Sequence, residues 1–229
     1  MSKPTFYVGL CMAGAVSAGA YTAGVVDYLI EALDNWEKNR GKDGIPDHLV
    51  SIPVIGGASA GGMTGILTAS AINNVIPHVS TMGQSNAIEN KFWHTWVDLL
   101  KDDMFPELLK TNDIKEGKIL SLFNSSFIDK IAARFVNVDA AHWIERPYFK
   151  DLKIFTTLTS LKGLSFNIGL LGSGENRDQY CVSRHNDYAC FKLNDNTYSN
   201  DGWIPLDFRV PETVKLAGDA AMATGAFPV

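Results

Sequence analysis

A serine between two glycines is the strongest chemical signal in the chain. Gly57 and Gly61 lie two residues before and two residues after Ser59. This G-x-S-x-G spacing, between a strand and a helix, is typical of a nucleophile elbow, a tight turn that projects the serine hydroxyl. The amides that open the following helix then point toward the atom where negative charge develops. The pattern predicts that Ser59 is a nucleophile, although a glycine-rich packing turn has the same composition.

A second loop of small residues begins at Gly14 and continues through Ala15 and Val16 to Gly19. Backbone N–H groups in such a loop can bind the oxyanion of a tetrahedral intermediate. Alanine and valine resist positive φ, which glycine tolerates, so the loop conformation matters for the direction of these donors. We expect the oxyanion hole at Gly14, Ala15 and Val16, and an ordinary packing turn is the alternative.

Two strand–helix units should position these loops. Apolar runs over residues 5–11 and 50–55 predict buried strands, and each run is followed by a loop and a segment with helical spacing. This order implies parallel strands joined by a right-handed crossover. Because the loops after parallel strands lie at the same edge of a sheet, we expect the loop at Gly14 to meet the turn at Ser59.

The rest of the chain predicts the remaining elements of an α/β protein. Polar residues and glycines over 172–201 predict a long irregular segment. Together these patterns predict a three-layer α/β/α domain around a mainly parallel central sheet. The predicted helices cover residues 18–39, 60–72, 87–100, 127–136 and 211–224, and the later strands cover 152–158 and 164–170.

The composition excludes several classes of protein. Of the 229 residues, 46% are hydrophobic and 20% are charged, as expected for one folded domain with a sizeable core. The net charge of −5 argues against nucleic acid as the main partner, because phosphate binding needs a basic face. The cysteines and histidines do not show the spacing of metal ligands, so we expect neither a metal ion nor a cofactor.

Cysteine usage and hydropathy predict the compartment. Cys11, Cys181 and Cys190 do not form a regular disulfide framework, although the nine residues between the last two permit a bridge. A reducing compartment is the simpler interpretation, and we expect a cytoplasmic protein with peripheral contact to a membrane. The chain shows no secretory signal and no run of about 20 apolar residues that could span a bilayer.

Three segments carry a resemblance to a known family. Residues 10–19, followed by Ala23–Val26, resemble the opening of a patatin-like phospholipase domain, which begins with a strand, a glycine-rich loop and a helix. The Gly57–Gly61 motif is similar to the family's Gly-Thr-Ser-Ala-Gly motif. Ala223–Pro228 is similar to its Ala-Thr-Ser-Ala-x-Pro segment. The resemblance is closest over residues 5–72.

The resemblance implies a function as well as a fold. It implies hydrolysis of a carboxylic ester in a lipid or phospholipid, with a Ser59 acyl-enzyme, an oxyanion hole at the Gly14 loop and no cofactor. The family pairs its serine with an aspartate that follows the Ala-Thr-Ser segment. By that order the aspartate base is expected beyond Val229, and residues 1–229 form a single hydrolase domain that lacks its C-terminal part.

Three other interpretations stay open. Asp201, in the sequence Asp201-Gly202, is an alternative base, but it precedes the Ala-Thr segment at Ala223. A Ser–His–Asp triad would need a histidine late in the chain, such as His142 or His185, and would suit a soluble ester. The third is an inactive relative that serves as a binding or regulatory module, which the departures from the family's glycine-rich loop favour.

Overall fold

A five-stranded sheet organises the protein. The computed structural model describes residues 3–80, 89–97, 105–119, 122–169 and 179–226. The strands lie in sequential order, and every neighbouring pair is parallel except β3 and β4, which are antiparallel. This mainly parallel sheet, flanked by helices, confirms the predicted α/β fold. The strands are β1 (Thr5–Met12), β2 (Leu49–Gly57), β3 (Lys153–Gly169), β4 (Gln179–Leu193) and β5 (Ile204–Leu206).

The helices agree closely with the predictions where the structure describes them. The predictions over 18–39, 127–136 and 211–224 are each correct to within one residue at either end. Within the range 87–100, which was predicted as one helix, the structure has a shorter helix, Lys91–Trp96. Residues 87, 88 and 98–100 lie outside the described residues. None of the described helices is both long and apolar enough to span a membrane. The helices are α1 (Gly19–Asn39), α2 (Ala60–Ala71), α3 (Lys91–Trp96), α4 (Phe105–Leu108), α5 (Ser126–Phe135) and α6 (Pro211–Gly225).

The main helices share one face of the sheet. Strands β1, β2 and β3 follow one another in parallel, so right-handed crossovers place α1 and α2 on the same side. Helix α6 packs against α2 and β3 on that side. The other face presents Tyr7, Val54, Phe155 and Tyr188, each at least 36% exposed. Among the described residues, no helix covers this second face, so the third layer of the predicted α/β/α domain stays a prediction.

The core fixes α2 against the central strands. Ile52 and Ile55 of β2, Ile66 and Leu67 of α2, and Ile154 of β3 are each at most 1% exposed. Burying side chains of this size typically contributes about 1.5–3 kcal/mol each relative to leaving them in water. The turn between β2 and α2, which contains Ser59, is therefore held by packed elements on both sides.

The third strand is longer than the sequence predicts. The two strands expected over 152–158 and 164–170 form one strand, β3, and residue 170 lies outside the described residues. Within β3 the register with β4 shifts between Thr159 and Leu164. Gly163 lies there at a φ of 69°, which glycine adopts without steric cost. The residues at this register shift suggested a loop between two strands, but the strand continues through them.

The prediction of an irregular segment over 172–201 is wrong over residues 179–193, and residues 172–178 lie outside the described residues. Residues 179–193 form β4, which pairs with β3 along both of its halves. The outer half of β4 is exposed, so it shows no alternation of buried and polar residues. Cys181 and Cys190 lie on this one strand, nine residues or about 30 Å apart, so they cannot form a bridge with each other. All three cysteines are free thiols.

Candidate active site

Ser59 lies at a strained turn between β2 and α2. Its φ is 52° and its ψ is −124°, and it precedes the first residue of the helix, Ala60. A residue other than glycine in a sparsely populated backbone region is strained by about 1–3 kcal/mol, and such strain is concentrated at functional sites. The side chain is half-buried at the carboxyl edge of the parallel strands, where α/β proteins bind their ligands.

The two glycines of the motif permit close approach rather than an unusual φ. A Cβ atom on Gly57 would lie 2.3 Å from the carbonyl carbon of Gly61, and one on Gly61 would lie 2.1 Å from the carbonyl oxygen of Met12. Neither glycine has a positive φ. A side chain at Gly57 would therefore push the start of α2 away from β2, and one at Gly61 would push it away from the end of β1.

The loop after β1 meets the serine, as the strand order requires. A Cβ atom on Gly14 would lie 3.2 Å from Cβ of Ser59 and 3.9 Å from its Oγ. The Ala58 N–H donates a hydrogen bond of 3.2 Å to the carbonyl oxygen of Met12, which joins the two loops. The structure therefore brings Gly14 and Ser59 together, while their roles as oxyanion loop and nucleophile stay predictions.

The conformation of this loop suits the residues that it contains. No residue from Ala13 to Ala18 has a positive φ, so Ala15 and Val16 avoid the strain that such a backbone would impose. The Val16 side chain is 98% exposed. Within the described residues, the amides of Gly14, Ala15 and Val16 have no hydrogen-bond acceptor. These N–H groups are thus available to a bound anion.

The amides of the turn itself divide into occupied and available donors. The Ser59 N–H donates to Oγ1 of Thr224 at 2.9 Å, and the Gly61 N–H donates to the carbonyl oxygen of Ala58 at 2.9 Å. The Ala60 N–H, the first of α2, has no acceptor among the residues that the structure describes. The available donors nearest the nucleophile are therefore Ala60 and the Gly14 loop.

Thr224 is a contact that the sequence analysis missed. It belongs to the Ala223–Pro228 segment, whose resemblance to a family motif was noted without a role. The contact joins residues 165 positions apart, so periodicity and local motifs cannot reveal it. Thr156 of β3 lies beside it, because a Cβ atom on Gly62 would lie 2.2 Å from Oγ1 of Thr156 and 2.8 Å from Cγ2 of Thr224.

Asp201 is poorly suited to act as the base. Its carboxylate forms an ion pair with Lys192 and accepts hydrogen bonds from the Ser199 hydroxyl at 2.5 Å and the Trp203 N–H at 3.1 Å. The hydrogen bond from Lys192, with the two others, holds the pKa of Asp201 far below its ordinary value. A carboxylate held in this way accepts a proton weakly, and none of its hydrogen bonds involves Ser59.

The two candidate histidines have partners elsewhere. His142 pairs through Nδ1 with Asp139 at 2.6 Å, and its carbonyl oxygen accepts a hydrogen bond from Asn74, just beyond the C-terminal end of α2. Ser59 is at the other end of this 12-residue helix, about 18 Å away along its axis. His185 bonds through Nδ1 to the Ser160 carbonyl oxygen at 2.8 Å on the long hairpin. These positions argue against a Ser–His–Asp triad.

A cavity of about 250 Å³ lies elsewhere, between α1 and α3. Phe92 and Trp93 contribute apolar lining, and Asp27 and Glu31 contribute carboxylates. These carboxylates are engaged, with His78 on Asp27 and the Ser80 hydroxyl on Glu31. The strained turn at Ser59 therefore stays the predicted site of the chemistry. Among the described residues, no group of three or more His, Cys, Asp or Glu side chains is arranged to hold a metal ion.

Comparison with known proteins supplies the family. The sequence profile of the patatin-like phospholipases matches residues 10–229. An uncharacterized protein of Sinorhizobium fredii is 29% identical over an alignment 260 residues long, which covers 100% of this chain and 36% of that protein. The chain therefore spans about a third of the length of this relative. No solved structure matches the chain. With a family match over nearly its whole length, the chain belongs to the patatin-like phospholipase family.

Proposed function

We propose that the protein is a lipid acyl hydrolase that cleaves carboxylic esters of phospholipids through a Ser59 acyl-enzyme. The observation that carries this proposal is the strained conformation of Ser59 at the first turn of α2, with Gly14 packed against it. Membership of the patatin-like phospholipase family supports ester hydrolysis as the general activity.

The reaction begins when Ser59 Oγ attacks the acyl carbonyl carbon and its proton passes to a base. The carbonyl oxygen becomes an oxyanion, which the amides of Gly14, Ala15, Val16 and Ala60 stabilise. Collapse of this intermediate breaks the bond to the lipid alcohol, which takes the proton from the base as it leaves, and the acyl group stays on the serine. A water molecule then attacks the acyl-enzyme and releases the fatty acid.

We infer that the base is an aspartate after Val229, which the order of the family's motifs leads us to expect. Asp201 is disfavoured because its carboxylate is held by Lys192 and its pKa is depressed. Positioned acid–base catalysis typically contributes about 10²- to 10⁴-fold to a rate.

Fatty-acid release from phospholipid vesicles tests the function. We expect the full-length protein to release fatty acid, and Ser59→Ala to lower the rate about a thousandfold or more. Asp201→Asn is the matched control, and it should keep the rate within about threefold because a surface ion pair contributes little.

Three outcomes would contradict parts of the proposal. Equal rates for the wild-type protein and Ser59→Ala would remove Ser59 from the mechanism. Rapid cleavage of a short soluble ester, with no release of fatty acid from vesicles, would show an esterase that does not act on lipids. A complete loss of activity in Asp201→Asn would instead assign the base to Asp201.

A further inference from the structure

Helix α6 approaches α2 through small side chains. Ala217, Ala220, Ala221 and Thr224 recur at intervals of three and four residues, so they lie on one face of α6. The three alanines are at most 6% exposed and Thr224 is 8% exposed. On α2 the facing residue is Gly62, where a Cβ atom would lie 2.8 Å from Cγ2 of Thr224. These small residues let the end of α6 reach the Ser59 turn.

The hydroxyl at this contact is used as an acceptor. Oγ1 of Thr224 lies 2.9 Å from the backbone nitrogen of Ser59 and accepts its N–H. The N–H of a half-buried residue would otherwise need water or another partner. The bond thus holds the one residue of the turn whose φ is strained.

We propose that Thr224 is a positioning residue for the Ser59 nucleophile, an inference that rests on the proposed function above. Its hydrogen bond maintains the positive-φ conformation of Ser59 and so sets the direction of Oγ. It also occupies the Ser59 N–H, so the oxyanion takes its donors from Ala60 and the Gly14 loop. Thr224 does not touch the reacting atoms and acts only through Ser59.

A role in packing alone makes a different prediction. The Thr224 methyl group fills space beside Gly62, and a purely structural role would depend on that methyl group rather than on the hydroxyl. Thr224→Val keeps the shape and removes the acceptor, whereas Thr224→Ser keeps the acceptor and removes the methyl group. The two variants therefore separate positioning from packing.

The kinetic test compares these variants with a substitution of Thr68, a buried threonine of α2 that lies away from the Ser59 turn. The Thr68 hydroxyl donates to the Thr64 carbonyl oxygen within the helix at 2.7 Å, so Thr68→Val is a matched control. We expect Thr224→Val to lower kcat about ten- to a hundredfold at nearly constant KM, as small misplacements of reacting groups do. Thr224→Ser and Thr68→Val should stay within about threefold of the wild-type kcat.

A second measurement is independent of activity. Hydrogen exchange of the Ser59 amide, in the full-length protein, should be slow in the wild type and Thr224→Ser and about tenfold faster or more in Thr224→Val. If the wild type neither hydrolyses esters nor reacts at Ser59, the proposed function fails, and the exchange rates still test the contact with Thr224. A folded Thr224→Val with the kcat of an active wild type, or with wild-type exchange at Ser59, would overturn the inference.

Discussion

The two ends of α2 are built in opposite ways. At the N-terminal end, Ser59 is strained, its neighbours are glycine and alanine, and the Ala60 amide has no acceptor in the described part of the chain. At the C-terminal end, the carbonyl oxygens of Ile72 and Asn74 accept hydrogen bonds from Arg146 at 2.5 and 2.9 Å. One end keeps donors open to a ligand, and the other is closed by side chains that stabilise the fold.

An ion pair between a buried arginine and a partly buried aspartate completes the closed end. Arg146 is 7% exposed, and its Nε and Nη2 donate to the two carboxylate oxygens of Asp34 at 3.0 and 2.9 Å. The Tyr148 hydroxyl donates to the same carboxylate at 2.7 Å, and its burial together with this contact raises the pKa of Tyr148 well above its ordinary value. The cluster ties α1, the end of α2 and the segment before β3 together.

The difference between the two ends of α2 predicts where substitutions affect activity and where they affect stability. At the Ser59 end, the backbone is strained and the polar groups face a possible substrate. At the Arg146 end, polar groups satisfy one another in the interior. Substitutions at the first end should change rates with little change in the free energy of unfolding, and substitutions at the second end should do the reverse.

The largest effect is expected for Ser59→Gly. This variant removes the nucleophile, so ester hydrolysis should fall about a thousandfold or more. It also relieves the strain of a positive φ, so the free energy of unfolding should rise by about 1 kcal/mol. Denaturant unfolding and fatty-acid release measure the two effects. A less stable Ser59→Gly protein would show that the turn is not strained.

At the other end, Arg146→Ala should destabilise the protein by about 2–4 kcal/mol, because it removes a buried guanidinium and leaves the partly buried Asp34 carboxylate and the carbonyl oxygens of α2 without their donor. The folded fraction should keep its kcat. The matched control is Lys215→Ala, which breaks an exposed ion pair with Asp219 and should cost less than about 1 kcal/mol. Equal destabilisation by the two variants, in urea unfolding, would contradict the account of the closed end.

Lys91 gives the closed end a pH dependence. Its ammonium donates to the carbonyl oxygens of Ser70, Phe135 and Asn137, and burial lowers its pKa to about 8. Between about pH 8 and 10.5 the unfolded chain keeps a proton that the folded chain has lost, so the free energy of unfolding should rise with pH by up to about 3 kcal/mol.

Lys91→Met serves as the reference for this pH effect. The difference between the unfolding free energies of the wild type and this variant should grow in favour of the wild type between pH 8 and 10. A constant difference across this range would show that Lys91 does not titrate there.

The smallest effect is expected at Gly14. Gly14→Ala places a methyl group 3.2 Å from Cβ of Ser59, so kcat/KM should fall about ten- to a hundredfold while stability changes little. Gly24→Ala in α1 is the matched control, because no atom lies within 4 Å of its Cβ position. That control should keep its activity and gain about 0.5–1 kcal/mol of stability. Unchanged activity in Gly14→Ala would remove this loop from the site.

Local patterns in the sequence predicted the frame of the site. The apolar strands before Gly14 and Ser59 and the helices after them follow from periodicity, and parallel pairing brings their loops to one edge. The conformation of the Gly14 loop did not follow, because the family's glycines suggested positive φ and the structure has none from Ala13 to Ala18.

Long-range contacts set the limit of prediction. The bond between Thr224 and the Ser59 amide depends on how α6 packs against α2, which no local pattern specifies. The ribbon of β3 and β4 is held by backbone pairing along an exposed stretch, so its polar residues resembled a loop. The sequence also cannot show that Lys192 and Ser199 hold the Asp201 carboxylate, which makes it a poor base.

Covalent labelling of the full-length protein by a fluorophosphonate tests the central claim most directly. The reagent phosphonylates a serine only where the hydroxyl is activated as a nucleophile. Peptide mass analysis should locate one phosphonyl group, on Ser59 in the wild type, and should find none in Ser59→Ala. Labelling that persists in Ser59→Ala, or that falls on another serine such as Ser80, would contradict the assignment of Ser59 as the nucleophile.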